Sequence, residues 1–552
     1  MDIPPDALPG VPPLKRPVLI TALIAVTASP TFPARALEPA ERLIDEQRTE
    51  QARSRLRSDA LPSPAAGPTD APALARSPAD LDEPGEALAA PDIRIHARGL
   101  LDAATLEWLR LVFAAQPLGI QRLSLLIRRI DAALIEARWI TSRSRVAALD
   151  PVSGVVEIEV VPGRVASISP LGVADRVLPL VPEDVLSQAA LEQGVQQINR
   201  LRLMQAQVKV LPGSQPGYSV LDLTLHGDER LWSLAFGADN QGSEQTGSAR
   251  QRIAYRCVHA LGLYEDFQLL TLRSADSEAL LASLSVPAGW SLWSVTASAS
   301  KSDSTLAGLR FGSDAQTLQL GWQRVLSLSA QARHALDVSL SHARIARDIG
   351  GVDLLTRRSS VLRVSWVHTG RTGYGQYFIE PALSRGLRLF GAVRDTADLA
   401  PDHTHYQFSR LTLNAGAALP LSEATELALQ YTGQYARNAL PGAEQLYLGG
   451  MGSIRGYAEN LTFGDRGHLL RMELRHALSR FDGALRLLPF VHLDGGSVRQ
   501  IGGSDITLTS AGVGVRAQAG GWTLDTALSA PLSHPDALSS GWRLHVSVGY
   551  LL

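Results

Sequence analysis

From about residue 229 to the end of the chain, apolar and polar residues alternate in segment after segment. A period of two places all apolar side chains on one face of a β-strand. In a soluble β-sandwich that face would meet a dry core, whereas in a membrane barrel it would meet lipid and the polar face would line a wet lumen. The clearest apolar positions are Trp232, Leu234, Phe236, Leu362, Val364, Trp366, Leu470, Met472 and Leu474.

Three features of residues 228–552 favour the membrane barrel. The segments often reach roughly 9–11 residues, the length of a tilted strand that crosses a bilayer. Aromatic residues such as Trp232, Trp542 and Tyr550 lie near segment ends, where an interfacial girdle needs them. The chain ends on an alternating segment, which can pair with the first and leave no open edge. We count about 16 strands, an even number as in bacterial single-chain barrels.

Residues 92–227 have a different pattern, typical of small α/β domains. In 92–166, helical spacing at Leu123, Leu126, Ile127, Ile130 and Leu134 lies between strand-like segments, in the order β-α-α-β-β. Residues 167–227 are predicted to repeat this order. The sequence therefore predicts two tandem domains ahead of the barrel.

The N-terminal residues predict export. In residues 1–36, Lys15-Arg16 precede an apolar run and Ala34-Arg35-Ala36 fits a cleavage site, so we interpret this segment as a signal peptide. The pattern of residues 37–59 predicts a helix. This helix is too polar for a dry core and suits water or a water-filled channel. Residues 60–91 are rich in Pro and Ala and are predicted to form an extended linker.

Composition excludes several classes of function. The formal net charge of the 552 residues is −2, which gives no indication of nucleic-acid binding. The single Cys257 cannot form an intrachain disulfide, and the 13 histidines show no metal-binding spacing. We find no nucleotide-binding or nucleophile motif, so we expect no cofactor and no catalysis. A barrel enzyme would need a nucleophile beside His492 and Asp494, and the sequence places none there.

One segment combines unusual backbone freedom with a single charge. Residues 448–457 contain four glycines, one arginine and one tyrosine, within a long gap between two predicted strands. Glycine permits backbone conformations that other residues resist, so such a loop can carry one charged side chain to a defined place. The residues of interest are Gly449, Gly450, Ser453, Ile454, Arg455, Gly456 and Tyr457.

These motifs resemble the TpsB transporters of two-partner secretion, the hemolysin-activator and filamentous-hemagglutinin exporters of the POTRA-barrel superfamily. Ile454 to Tyr457 is similar to the family's VRGY or IRGY tetrad in the loop after barrel strand 11, here 437–465. Gly464 and Asp465 fit the following GD-x-G motif, and Pro212-Gly213 fits the end of the second POTRA domain. The resemblance implies a 16-stranded barrel, two POTRA domains at 92–166 and 167–227, and a plug helix at 37–59.

The resemblance also implies a partner for the arginine. The family's F-x-D-x-G motif on barrel strand 13 aligns with His492, Asp494 and Gly496, so histidine replaces the usual aromatic residue. Alternation along this strand directs Val491 and Leu493 to lipid, which places Asp494 in the lumen. We therefore expect Arg455 to pair with Asp494, because guanidinium and carboxylate make a directional, two-bond contact.

The implied function is passage of a partner exoprotein through the outer membrane. The exoprotein would carry an N-terminal secretion domain, the POTRA domains would bind it unfolded in the periplasm, and the barrel would conduct it. We expect a monomer in outer-membrane lipid, with a dimer as the alternative. A second hypothesis is an assembly factor for other outer-membrane proteins; the two POTRA domains, the polar helix and the linker favour secretion.

Overall fold

The computed structural model describes residues 77–83, 86–169, 176–227, 230–306, 309–533 and 541–552. The predicted signal peptide, the predicted plug helix and most of the predicted linker lie outside the described residues. None of the helices within these ranges is both long and apolar enough to cross a membrane.

The first small domain is a three-stranded sheet covered by two helices. Its elements are β1 (Asp92–His96), α1 (Ala103–Ala114), α2 (Ile120–Glu136), β2 (Arg143–Asp150) and β3 (Val155–Val161). β3 is central, parallel to β1 and antiparallel to β2. The predicted order β-α-α-β-β is observed, because the alternating apolar side chains of β3 are buried together with the apolar stripe of α2.

The described end of the predicted linker packs on this first domain. The Arg122 guanidinium donates hydrogen bonds to the carbonyls of Pro78, at 2.6 Å, and Leu81, at 2.5 Å. The Glu83 carboxylate accepts from the backbone N–H of Gln121, at 3.1 Å, and of Arg122, at 2.7 Å, which caps the first turn of α2. Residues 77–83 are thus held in place by α2, a contact that proline content alone did not indicate.

The described part of the second small domain begins earlier than predicted and contains one helix where the repeat predicted two. Its elements are β4 (Arg164–Ser169), α3 (Gln188–Asn199), β5 (Met204–Pro212) and β6 (Tyr218–Gly227), with sheet order β4-β6-β5. Pro162-Gly163 turns the chain directly after β3, so this sheet starts at Arg164 and not at residue 167. Among its described residues, 176–187 form turns where the repeat predicted a helix, because Pro179 and Pro182 interrupt helical hydrogen bonding.

The remaining chain forms a closed antiparallel barrel. Sixteen strands make the wall, and the short β14 and β22 extend it at its ends, which confirms the predicted strand number. The strands are β7 (Trp232–Asp239), β8 (Arg250–Val258), β9 (Asp266–Arg273), β10 (Ser277–Ala288), β11 (Ser291–Leu306), β12 (Leu309–Leu328), β13 (Ala332–Ile349), β14 (Val352–Asp353), β15 (Arg357–Thr372), β16 (Gly375–Leu387), β17 (Ser409–Pro420), β18 (Thr425–Ala436), β21 (Arg466–His476), β22 (Leu478–Arg480), β23 (Leu485–Arg499), β24 (Asp505–Ala519), β25 (Trp522–Pro531) and β26 (Arg543–Leu551).

The barrel closes where the sequence predicts. β26 pairs antiparallel with β7, with Tyr550 opposite Phe236. Along β21 the apolar Leu470 and Leu474 are 40% and 41% exposed, whereas Glu473 between them is only 6% exposed. An apolar outer face and a charged inner face are the arrangement of a membrane barrel.

One long segment leaves the wall between the eleventh and twelfth full-length strands, β18 and β21. It occupies residues 437–465 and contains the short pair β19 (Leu446–Leu448) and β20 (Thr462–Gly464). Its side chains contact inward-facing residues of β21, β23 and β24, so we refer to it as the inward loop.

Candidate functional site

Glycines shape the tip of the inward loop. Gly449, Gly450 and Gly456 have φ of +110°, +95° and +89°, a region that side chains disfavour. A Cβ at Gly449 would lie 2.3 Å from the Ala458 carbonyl oxygen. The Ser453 hydroxyl donates to the Gly449 carbonyl at 2.9 Å and ties the turn together. The turn can therefore form only with glycine at these positions.

The turn presents Arg455 to the barrel wall. Its Nε and Nη2 donate to the two carboxylate oxygens of Asp494, at 2.6 and 2.7 Å, and its backbone N–H donates to Asp494 Oδ2 at 3.2 Å. Its Nη1 donates to Glu473 Oε1 at 2.5 Å. The side chains of Arg455 and Asp494 are both 0% exposed. The structure thus brings Arg455 of the inward loop and Asp494 of β23 into a buried contact of two side-chain hydrogen bonds.

Glu473 is the partner that sequence reasoning missed. It lies on β21, where it also pairs with Arg475 Nη2 at 2.7 Å and with Arg516 Nη1 at 3.0 Å. One carboxylate therefore joins the loop arginine to two arginines of the wall. The signal was present in the sequence, because Glu473 alternates with Met472 and Leu474 and so must face the lumen.

Gly496 and Ile454 add an apolar contact next to the charges. Ile454 is fully buried with Leu448, Tyr457, Leu469, Val498 and Leu508. A Cβ at Gly496 would lie 3.3 Å from Ile454 Cδ1 and 2.6 Å from the His468 carbonyl oxygen. The glycine two residues after Asp494 therefore makes room for the loop against β23.

Tyr457 and Asp465 hold the loop at two further places. The Tyr457 hydroxyl lies 2.6 Å from the Ser533 carbonyl oxygen and 2.8 Å from that of Thr509. Asp465, after Gly464 at the loop's end, accepts hydrogen bonds from Leu440 N and Ile501 N, each at 2.8 Å. The Asp465 carboxylate thus links the start of the inward loop to the segment after β23.

His492 occupies a buried position beside Asp494. Its Nε2 lies 2.8 Å from Ser529 Oγ and its Nδ1 lies 3.4 Å from Asp494 Oδ2. A Cβ at Gly512 would come within 2.5 Å of Nε2, so glycine on β24 leaves space for the ring. The Ser-His-Asp order resembles a hydrolytic relay, but Ser529 is 0% exposed and Asp494 is engaged by Arg455. A nucleophile that no substrate can reach gives no catalysis.

Comparisons with known proteins identify this architecture. The family described as "Haemolysin secretion/activation protein ShlB/FhaC/HecB" matches residues 217–517, more than half of the 552-residue chain. The chain belongs to this family. The outer membrane transporter CdiB of Escherichia coli O6:K15:H31 (strain 536 / UPEC) is 30% identical over 82% of this chain and 82% of its own length.

Two further relatives agree with the family. The outer membrane transporter CdiB of Dickeya dadantii (strain 3937) is 27% identical over 78% of this chain and 81% of its own. The solved structure of CdiB from Escherichia coli has a TM-score of 0.84 at 26% identity, covering 94% of this chain and 99% of that one. The present chain is therefore an outer-membrane transporter of two-partner secretion and not an enzyme. Its barrel lies in the outer membrane, its POTRA domains lie in the periplasm, and its partner is a secreted exoprotein.

Proposed function

We propose that Arg455, with Asp494 and Glu473, locks the inward loop against the inner wall and so sets the shape of the secretion path. The observation that carries this proposal is the burial of the Arg455 guanidinium between carboxylates of two strands. A buried charge that loses its partner is strongly destabilised, so the pair has one favourable geometry. The contact therefore fixes the position of the loop more than it adds to barrel stability.

The lock is tested by secretion of the partner exoprotein from cells that carry Arg455→Ala. We expect secretion to fall by roughly tenfold or more, since loss of a buried partner costs several kcal/mol. The matched control is Arg394→Ala, which removes an exposed arginine of another loop at the same end of the barrel. Equal secretion by the two variants, with both barrels folded, would exclude the lock.

We propose that the POTRA domains bind the exoprotein by adding a strand to a sheet edge. β5 lies at one edge of the second sheet, and its Val210 and Leu211 are 37% and 44% exposed although apolar. β2 has a similar edge with Val146 and Leu149 exposed. A free edge supplies backbone hydrogen bonds to an extended segment, and exposed apolar side chains supply additional contacts.

The receptor role is tested by binding of the exoprotein's N-terminal secretion domain to the purified full-length transporter. Val210→Lys with Leu211→Lys should weaken binding by roughly tenfold if β5 receives the segment. The matched double substitution Val146→Lys with Leu149→Lys tests in the same way whether β2 receives the segment. Unchanged affinity in both pairs would contradict strand addition.

We propose that residues 37–59 plug the pore at rest. The support is their polar composition, which suits a water-filled lumen, and the resemblance to the family's plug helix. Deletion of 37–59 should raise ion conductance in planar bilayers. Conductance equal to that of the full chain would reject the plug.

A further inference from the structure

The lipid-facing surface of β16, β17, β18 and β21 carries a groove of about 620 Å³. Its walls are large apolar side chains: Leu383 is 50% exposed, Leu411 is 55% exposed and Tyr435 is 48% exposed. Its floor includes Pro381 and Gly433, which have no large side chain to fill the space. The strand register aligns Leu383, Leu411 and Tyr435 in one row across the outer face.

Three arginines surround one end of this groove. The Arg466 guanidinium lies 4.7 Å from the centre of the Tyr435 ring, and its Nε donates to the Ala436 carbonyl at 2.7 Å. Arg385 is exposed, lies near the end of β16, and donates a hydrogen bond to the Ser409 hydroxyl. Arg437, exposed, directly follows β18.

The charges of these three arginines are not balanced locally. Within the described part of the chain, no carboxylate lies within 4.0 Å of the guanidinium nitrogens of Arg385, Arg437 or Arg466, whereas neighbouring Arg499 is paired with Asp505. An apolar groove with unneutralised cations at one end is complementary to an anionic lipid. Arginine also suits phosphate, because its planar donors make paired hydrogen bonds.

Strand topology places the cationic end in the outer leaflet. The chain passes from the periplasmic domains into β7, so β7 and every second barrel strand after it end on the outer side. β18 is the eleventh full-length strand, and the groove lies beside its end at Ala436. The long segments 388–408 and 437–465 leave the same end, as expected for the extracellular side.

We propose that this groove binds the phosphorylated, multiply acylated glycolipid of the outer leaflet, the lipid A part of lipopolysaccharide. Acyl chains lie along Leu383, Leu411 and Tyr435, and a phosphate contacts Arg385, Arg437 and Arg466. β18 and β21 flank the inward loop, and Arg466 already joins them through the Ala436 carbonyl. A bound phosphate therefore braces the two strands from which the inward loop departs.

Native mass spectrometry of the purified full-length transporter tests this site. Diphosphoryl lipid A is titrated against the chain and against the triple variant Arg385→Gln, Arg437→Gln, Arg466→Gln. Because each surface arginine near an anionic lipid contributes about 1 kcal/mol, we expect the triple variant to bind on the order of tenfold to a hundredfold more weakly. The matched control replaces three exposed arginines at the periplasmic end: Arg230→Gln, Arg480→Gln and Arg486→Gln should leave binding unchanged.

Four results would overturn the lipid site. Equal affinity of the two triple variants shows that the groove arginines do not bind the phosphate. Equal affinity of the unmodified chain for zwitterionic phosphatidylcholine shows that the groove does not select an anionic headgroup. Displacement of lipid A by millimolar inorganic phosphate shows an ion site without acyl recognition. If the unmodified chain forms a dimer that is lost in the Arg385, Arg437 and Arg466 triple variant and kept in the control variant, a second copy of the chain covers this face.

Discussion

Two long irregular segments leave the same end of the barrel and are held by different means. Residues 388–408 are held by hydrogen bonds to their backbone: the Asp395 carboxylate accepts from the N–H of Tyr406 and Gln407, each at 2.8 Å. Two further backbone bonds, each of 2.9 Å, join Val393 to the Arg358 carbonyl of β15 and His405 to the Ala439 carbonyl of the inward loop. The inward loop, 437–465, is held by carboxylates of the wall, Asp494 and Glu473.

The two segments differ in where their arginines lie. Arg394 of the first segment is exposed, whereas Arg455 of the inward loop is 0% exposed. Breaking one backbone hydrogen bond of 388–408 leaves no buried guanidinium without a partner. The inward loop, whose contacts include one buried guanidinium, has a single favourable position, since every other position leaves charges unpaired. The wall, more than the loop itself, therefore determines where the inward loop lies.

The strongest expected contrast is between the two anchoring aspartates. Asp494→Ala removes a buried partner at a cost of roughly 3–5 kcal/mol, so we expect the inward loop to leave its place and secretion to fall by roughly tenfold or more. Asp395→Ala should loosen 388–408 and leave secretion near the unmodified level. Limited proteolysis of outer-membrane vesicles distinguishes the loops. Cleavage of 437–465 in the Asp395 variant to the same extent as in the Asp494 variant would show that Asp494 is not the main anchor of the inward loop.

Glu473→Gln should have an intermediate effect. The amide keeps the shape but loses the charge that joins Arg455, Arg475 and Arg516, while both Asp494 bonds remain. We expect a secretion loss smaller than that of Asp494→Ala and a lower temperature for the heat-induced gel shift of the barrel. A loss as large as that of Asp494→Ala would mean that the charge cluster acts as one unit.

Tyr457→Phe should have a smaller effect. It removes one hydroxyl that lies near the carbonyl oxygens of Ser533 and Thr509, a loss of about 1 kcal/mol. We expect slightly faster proteolysis of the inward loop and a secretion loss of no more than roughly fivefold. Tyr447→Phe, elsewhere in the same loop, is the control; a larger loss in the control would show that the Tyr457 hydroxyl does not help to hold the inward loop.

His492→Phe should have the smallest effect. It introduces the aromatic residue typical of the resembled family and removes the contact with the Ser529 hydroxyl, at a cost of about 1 kcal/mol. We expect secretion within roughly twofold of the unmodified chain. His492→Asp places a second carboxylate beside Asp494 and should reduce secretion markedly; equal secretion by both variants would show that position 492 does not influence the lock.

The wall was easier to predict from the sequence than the network around Arg455. Alternation at Leu470, Met472 and Leu474 is enough to assign the faces of β21, because all side chains on one face of a barrel strand meet either lipid or the lumen. The four glycines around Arg455 indicated a special turn, and three of them, Gly449, Gly450 and Gly456, have a positive φ that side chains disfavour. The role of Glu473 was not foreseen, since its distance from Arg455 depends on how three strands align and on where the loop folds back.

The second POTRA domain shows a different limit of sequence reasoning. Its apolar spacing suggested a full repeat, yet Pro179 and Pro182 prevent one helix, and Leu178 is buried there without helical structure. Apolar periodicity reports burial, and proline decides whether a buried segment is also helical. Similarly, the contact of Arg122 with Pro78 could not be inferred from the proline-rich composition of the linker.

A double-mutant cycle on Arg455 and Asp494 tests the central claim most directly. Exoprotein secretion is measured for Arg455→Ala, Asp494→Ala and the double variant, with barrel folding checked in each. The lock predicts that the double variant secretes no less than either single variant, because each single change already breaks the same contact. Losses that multiply in the double variant would show that the two residues act independently and would contradict the lock.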